Sequence, residues 1–384
     1  MLNHFRPGTG TCRTQAFEPC RASRPSGWTS LAPQRKRVWF RRRPASERAL
    51  LASVLHPILA PLAILAPLAA MALIPERPAH ASYPTTSPHQ KELDAARAYF
   101  SELLKSPDAE WESHGTKNDV QLWSKKDAHD ASAPTTVKGE TIVKGVTPET
   151  FLFGVITSDR QRRVWDSRYD SSGLLTSYSP NEFTFYSSTK GFSFVVQARD
   201  LAGVQRIYED GGAFEIVQTS VDDLVPPQKG KTRATLSLSG WRVEPVGSDV
   251  KVSYSVKVAL NGSIPSAIVA KVATETPLCV GTARDVFYKQ GFAPYIRRAS
   301  LAPKDLVVQT QSTGADGAYR LALTTRTVGA EVEVAFDCEK LHKNGVSVTV
   351  EGEGVEASVD EAQGVVKVRA TAGGKDAVVV LKGN

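Results

Sequence analysis

The sequence predicts an α+β protein: a curved antiparallel sheet around one long helix, followed by a small β-sandwich. Three observations lead there. From Val250 to Leu260 the even positions are Val250, Val252, Tyr254, Val256, Val258 and Leu260, while the odd ones are Lys251, Ser253, Ser255, Lys257 and Ala259, so this strand has one apolar face. After the break at Asn261-Gly262-Ser263-Ile264-Pro265, the residues Ile268, Val269, Val272, Ala273, Leu278, Cys279, Val286 and Phe287 recur at helical spacing. From residue 304 to 384 the helical signal gives way to short strand-like runs separated by turns such as Lys343-Asn344-Gly345 and Gly373-Gly374.

The elements follow in order. Residues 1–48 hold eleven lysines and arginines against Glu18 and Glu47, lack periodicity and read as a basic disordered leader. Residues 49–75 are an apolar segment: from Ala49 to Ile74, 21 of 26 residues are Ala, Leu, Ile, Val or Met. As a helix this run is about 39 Å long, enough for a hydrocarbon core of about 30 Å. It reads either as a single-pass membrane anchor or as a targeting sequence to the secretory pathway or mitochondrion, cleaved near Ala79-His80-Ala81. Membrane association is the expected location.

Residues 76–87 are a linker. The main domain, 88–300, opens with Ser87-Pro88 as cap and first turn of a helix whose stripe is Leu93, Ala96, Phe100, Leu103 and Leu104. Strands are expected at Val120–Ser124, Thr136–Lys144, Phe183–Ser187, Gly191–Arg199, Val204–Glu209, Ala213–Thr219, Arg233–Glu244 and Val250–Leu260, with a short helix after Thr147-Pro148-Glu149. Phe192, Phe194 and Val196 share one strand face, and Phe214 and Ile216 repeat that pattern. The facing helix carries small residues, Ala267, Ala270, Ala273, Gly281 and Ala283, which leave room beside the sheet. Such apolar faces meet either as a solid core or around a cavity. Residues 304–384 form the sandwich, with an interaction or stabilising role.

Composition narrows the chemistry. The whole chain carries +7, and because the leader has a surplus of nine positive charges, residues 49–384 sum to −2. A nearly neutral body excludes a nucleic-acid partner, which needs a concentrated basic face. All seven histidines lie outside 137–298, removing histidine triads and histidine metal sites from the main domain. Cys12, Cys20, Cys279 and Cys338 have no metal-ligand or disulfide spacing. Asp166, Asp170, Asp222 and Asp223 read as solvated loop charge rather than a catalytic pair. No catalytic residue, cofactor or metal is expected, and the chain reads as a non-enzyme.

Several motifs share one likeness. Trp111 with Val120-Gln121-Leu122-Trp123, Arg163-Val164-Trp165-Asp166, the run from Asp223-Leu224-Val225-Pro226-Pro227 to Arg233-Ala234, Trp241 with Pro245, and Thr276-Pro277-Leu278-Cys279-Val280-Gly281 with Arg284-Asp285 resemble the steroidogenic acute regulatory protein-related lipid transfer (START) domain. The resemblance implies a helix-grip fold with one lipid or sterol in an internal tunnel, lidded by the C-terminal helix and the loop from Gly262 to Pro265. It places Arg233 at the family's Gly-x-x-Arg step.

Taken together, Phe192, Phe194, Val196, Phe214, Ile216, Ile268, Val272, Ala273 and Val280 are the expected lipid-lining residues. Arg233, Trp241 and Tyr254 are the polar-tipped candidates for a head group. The expected partners are a lipid or sterol ligand and a membrane, with a protein partner allowed through the C-terminal domain. The alternatives are a helix-grip enzyme of cyclase or hydrolase type, and an interaction module that binds no ligand.

Overall fold

The computed structural model describes Tyr83 and residues 87–384, apart from 192–195 and 223. Helix α1 (Gln90–Lys105) starts two residues later than Ser87-Pro88 suggests, because Ser87 Oγ accepts from the N–H of His89 in the turn ahead of it. The strands β1 (Glu112–Lys117), β2 (Val120–Lys125) and β3 (Thr136–Val143) follow. Next come α2 (Pro148–Phe151), its π-helical continuation Leu152–Ile156, and α3 (Asp159–Trp165). Thr147 caps α2 by accepting from Thr150 N, and Ser158 caps α3 by accepting from Gln161 N.

Seven strands come next: β4 (Tyr169–Ser179), β5 (Glu182–Thr189), β6 (Ala198–Asp210), β7 (Ala213–Ser220), β8 (Lys231–Arg233), β9 (Thr235–Val246) and β10 (Asp249–Ala259). They join β1–β3 in a ten-stranded sheet of order β1-β2-β3-β10-β9-β7-β6-β5-β4, with β8 pairing parallel to β6. Register shifts between Lys257 and Val258, and along β4, bend it.

The two faces of this sheet are covered by different elements. On one, Ala96, Phe100 and Leu103 of α1 pack with Trp111, Trp123, Val217 and Leu238. Phe100 lies flush on Gly240, where a side chain would collide with its ring. On the other, Phe151 to Ile156 and Trp165 share a core with β7, β9, β10 and the final helices.

Those final helices make the long C-terminal helical run expected, interrupted by one tighter turn. The run is α4 (Ser266–Glu275), a 3-10 turn at Thr276–Leu278 and α5 (Cys279–Gln290). Pro277 supplies no N–H to an α-helical ladder, so the run tightens there. The turn sits on bare sheet: a Cβ on Gly139 would lie 2.9 Å from Pro277 Cβ.

Beyond α5, β11 (Tyr295–Ile296), β14 (Glu331–Ala335), β16 (Val355–Asp360) and β17 (Val365–Ala370) make one four-stranded sheet. The other contains β12 (Leu306–Thr313), β13 (Tyr319–Thr325), β15 (Val346–Gly352) and β18 (Asp376–Gly383). Leu321, Leu323, Val334, Val366, Val379 and Leu381 pack between them.

The expected membrane location is corrected. Among the described residues no helix is long and apolar enough to cross a membrane. At 16 residues α1 spans about 24 Å, short of a hydrocarbon core of about 30 Å. The basic leader at 1–48 and the apolar segment at 49–75 lie outside the described residues.

Candidate functional site

Cross-strand pairing decides which side chains share the face beneath α4 and α5. Tyr254 pairs with Trp241 and Gly139, and Ile216 pairs with Trp241 and Ile207. Phe214 pairs with Val243. Paired residues point the same way, so these side chains form one floor. Trp241 and Tyr254 stack at 4.2 Å between ring centroids, Trp165 meets Trp241 edge-on at 5.9 Å, and Phe153 meets Phe214 at 5.6 Å. The Trp165 N–H donates to the Val155 carbonyl, whereas the Trp241 N–H has no partner among the described residues. Burial drives the Tyr254 phenol far above its ordinary pKa, with the Cys279 thiol adding to the effect.

The cover over this floor is uneven. Val280 and Ala283 of α5 are fully buried. On α4, Ile268, Val272 and Ala273 are half-buried and Val269 is 43% exposed. Leu201, Val258, Ala273, Leu278 and Cys279 are partly covered apolar groups at the edge of the core. Cys279 is partly enclosed, and burial raises its thiol pKa, reinforced by Asp166 and opposed by Arg168.

Polar side chains hold the α4 end. Arg199 donates to the carbonyls of Gln197, Leu260 and Asn261, tying the loop before α4 to the start of β6. Asn261, at a φ of 51°, returns its side-chain amide to Arg233 O and Thr235 Oγ1. Arg233 grips Asp200 with two donors, each at 3.1 Å, and Tyr186 donates to the same carboxylate at 3.2 Å. Burial, then the Asp200 charge, pushes the Tyr186 phenol up to about 12. The guanidinium of Arg233 also meets the carbonyls of Val225 and Pro226, so it is fully engaged.

A row of uncharged polar groups crosses the middle of the floor. Ser239 Oγ donates to Gln218 Oε1 at 2.9 Å, and Gln218 Nε2 donates to Gln205 Oε1 at 2.7 Å. Gln205 and Ser239 are only 6% and 5% exposed.

A curved antiparallel sheet with helices packed against it agrees with the coarse architecture that the sequence motifs implied. Residues 92–278 match the START domain model. This segment is a START domain. The match ends at the 3-10 turn, so α5 and the sandwich follow it in the chain.

The START fold here is similar to human STARD10, at 19% identity over 53% of this chain and 81% of that one, with a TM-score of 0.46. Human StAR-related lipid transfer protein 5 matches at 18% identity over 52% of this chain and 97% of that one, TM-score 0.46. A STAR-related lipid transfer protein fragment from Xanthomonas axonopodis matches at 22% identity, covering 46% of this chain and 97% of its own, TM-score 0.40. No curated protein matches the chain.

Of the residues expected to line a site, Phe192 and Phe194 lie outside the described residues. Phe214, Ile216, Trp241 and Tyr254 come together on the floor, and Val280 is sealed beneath α5. Val196 is buried just ahead of β6. Ile268, Val272 and Ala273 belong to the loosely held α4, and Arg233 belongs to the Asp200 pair. The sequence reading passed over Arg199, Asp200 and the Gln205, Gln218, Ser239 row. Their signal was available: in β6, Gly203, Gln205 and Ile207 share one face, and a glutamine on an otherwise apolar face asks for a partner.

Proposed function

We propose that this protein binds one amphipathic lipid or sterol between the floor of its START domain and the helices above it, and carries or presents that lipid between membranes. The observation that supports this most is the contrast in cover. The floor is aromatic and aliphatic, yet α4 above it has only half-buried and exposed described side chains, with Trp241 left holding an unused N–H. A solid core draws its apolar groups to full burial, and a site kept for a guest does not. The energetics suit a carrier: each methylene moved from lipid into water costs about 0.8 kcal/mol, so a sixteen-carbon chain costs about 13 kcal/mol unless a dry site receives it.

Native mass spectrometry of the full chain after exposure to mixed-lipid vesicles tests this. One retained lipid per protein is the expected result. Val196→Trp and Ala273→Trp are expected to abolish retention while the protein stays folded. A folded wild-type protein that retains nothing, or Trp variants that lose stability without any change in uptake, would point to a packed interaction module instead.

A further inference from the structure

We propose that the guest lipid carries an uncharged hydrogen-bonding group, a hydroxyl or an amide, that docks on Gln205 at the end of the Gln205, Gln218, Ser239 row. This rests on the lipid-binding reading above and specifies its ligand class. Register places the row: Gln205 pairs with Gln218, Gln218 with Ser239, and Ser239 with Val256, so the row runs across β6, β7 and β9 on the floor face.

Each link uses one donor and one acceptor. At the Gln205 end the carbonyl is taken by Gln218, while the amide nitrogen has no partner among the described residues. Nor is that nitrogen among the sealed polar atoms of the interior, although the residue is only 6% exposed. It therefore keeps some accessible area and is free to take a partner. A row serving only to satisfy itself would not leave its most buried amide with free donors at the end.

The row is also reversible. An amide turned about its last bond exchanges its oxygen and nitrogen, and a hydroxyl rotates to suit. Turning both glutamines reverses every link, so Gln205 can offer either N–H or C=O. Hydroxyls and amides both donate and accept, and they suit such an end.

Charge is excluded on the same grounds. Phe183, Gly203, Ile207, Ile216, Trp241 and Val256, which flank the row on its face, are all uncharged. The arginines at the α4 end are engaged, Arg199 by three carbonyls and Arg233 by Asp200. A phosphate or carboxylate at Gln205 would be buried without a counter-ion, and an ammonium would meet no free carboxylate.

The test offers the full chain three lipids with identical tails, dioleoylglycerol, dioleoylphosphatidate and dioleoylphosphatidylcholine, each in the same carrier vesicles, and counts retained lipid by native mass spectrometry. Dioleoylglycerol is expected to be retained at least about tenfold over either phospholipid. Gln205→Leu is expected to weaken its retention about tenfold, and Ser239→Ala, at the far end, by about threefold. Ser239→Ala carries the mutational arm if Gln205→Leu does not fold. Equal retention of all three lipids, or a phospholipid preference, overturns this inference and leaves the carrier standing. A diacylglycerol preference that survives both substitutions in folded protein also overturns it. Retention of none of the three also overturns it, and the mixed-lipid experiment above then decides the carrier reading separately.

Discussion

Helices α4 and α5 are consecutive pieces of one helical run, yet they are held in opposite ways. On α5, Val280, Gly281, Ala283, Arg284, Val286 and Phe287 are buried, while the described side chains of α4 are half-buried or exposed. Composition does not explain this, since α4 reads Ser-Ala-Ile-Val-Ala-Lys-Val-Ala-Thr-Glu and is at least as apolar. Partners explain it. Gly281 lets α5 close onto Val120, and Arg284 donates to Thr141 Oγ1 at 2.9 Å and to Asn118 O at 3.0 Å. The sandwich holds the far end: Asp337 accepts from Phe292 N at 3.0 Å, and Lys340 donates to Tyr288 O at 3.2 Å. Helix α4 has the loop tied by Arg199 at one end and the Arg168 to Thr276 hydrogen bond at the other. Local stability follows such partners, so α4 is expected to open at lower cost than α5.

The strongest way to break the contrast is to lift the turn between the helices. Gly139→Val would push a side chain into Pro277, and overpacking of this kind should cost about 3 kcal/mol in urea unfolding. A near-neutral effect would mean that the turn floats free of the sheet. The next test compares two valines. Val280→Ala, at 0% exposure, should cost about 2 kcal/mol, and Val269→Ala, at 43%, should stay within about 0.5 kcal/mol of wild type. Equal losses would erase the distinction between the helices.

Mild acid should weaken the sandwich that holds the far end of α5. His342 in the sandwich is 7% exposed, its Nε2 has no partner, and it lies edge-on to Phe336. Burial, then Arg160, lowers its pKa below the usual 6.5, against a smaller opposing pull from Asp337. The folded form therefore binds fewer protons than the unfolded chain, and stability falls as pH drops below about 6.5, at no more than about 1.4 kcal/mol per pH unit. His342→Gln should flatten that slope, and an unchanged slope would assign it to other groups. The smallest expected effect is that of Lys340→Ala, about 0.5 kcal/mol from loss of a cation at a helix C-terminus. Hydrogen exchange should quicken in the last turn of α5 and stay unchanged in α4; faster exchange in both would mean that the run moves as one piece.

The parts legible in the sequence were those with strong alternation or strong punctuation. Strand β10 alternates apolar and polar residue types from Val250 to Val258, although Ser253 and Ser255 are buried as well, and α1 shows its stripe at Leu93, Ala96, Phe100 and Leu103. Strand β4 escaped because Asp-Ser-Ser-Gly-Leu-Leu-Thr-Ser has no apolar period, as suits an edge strand paired only with β5. Strand β16 gives an equally weak signal, since it lies on an edge and none of its residues is buried. Pro277 was visible as a residue that interrupts helices, but that its turn would settle on Gly139, 138 positions away, was not.

The candidate site divides along the same line. Residue type and spacing alone gave an apolar strand face, a small-residue helix, the START motifs and the lack of histidine, because these are properties of short stretches. Which glutamine meets which serine, which arginine is neutralised by Asp200, and which half of a helical run is held down all depend on register between strands far apart in the chain. Only the folded sheet supplies that register, since side chains become neighbours through ladder pairing rather than through proximity in sequence.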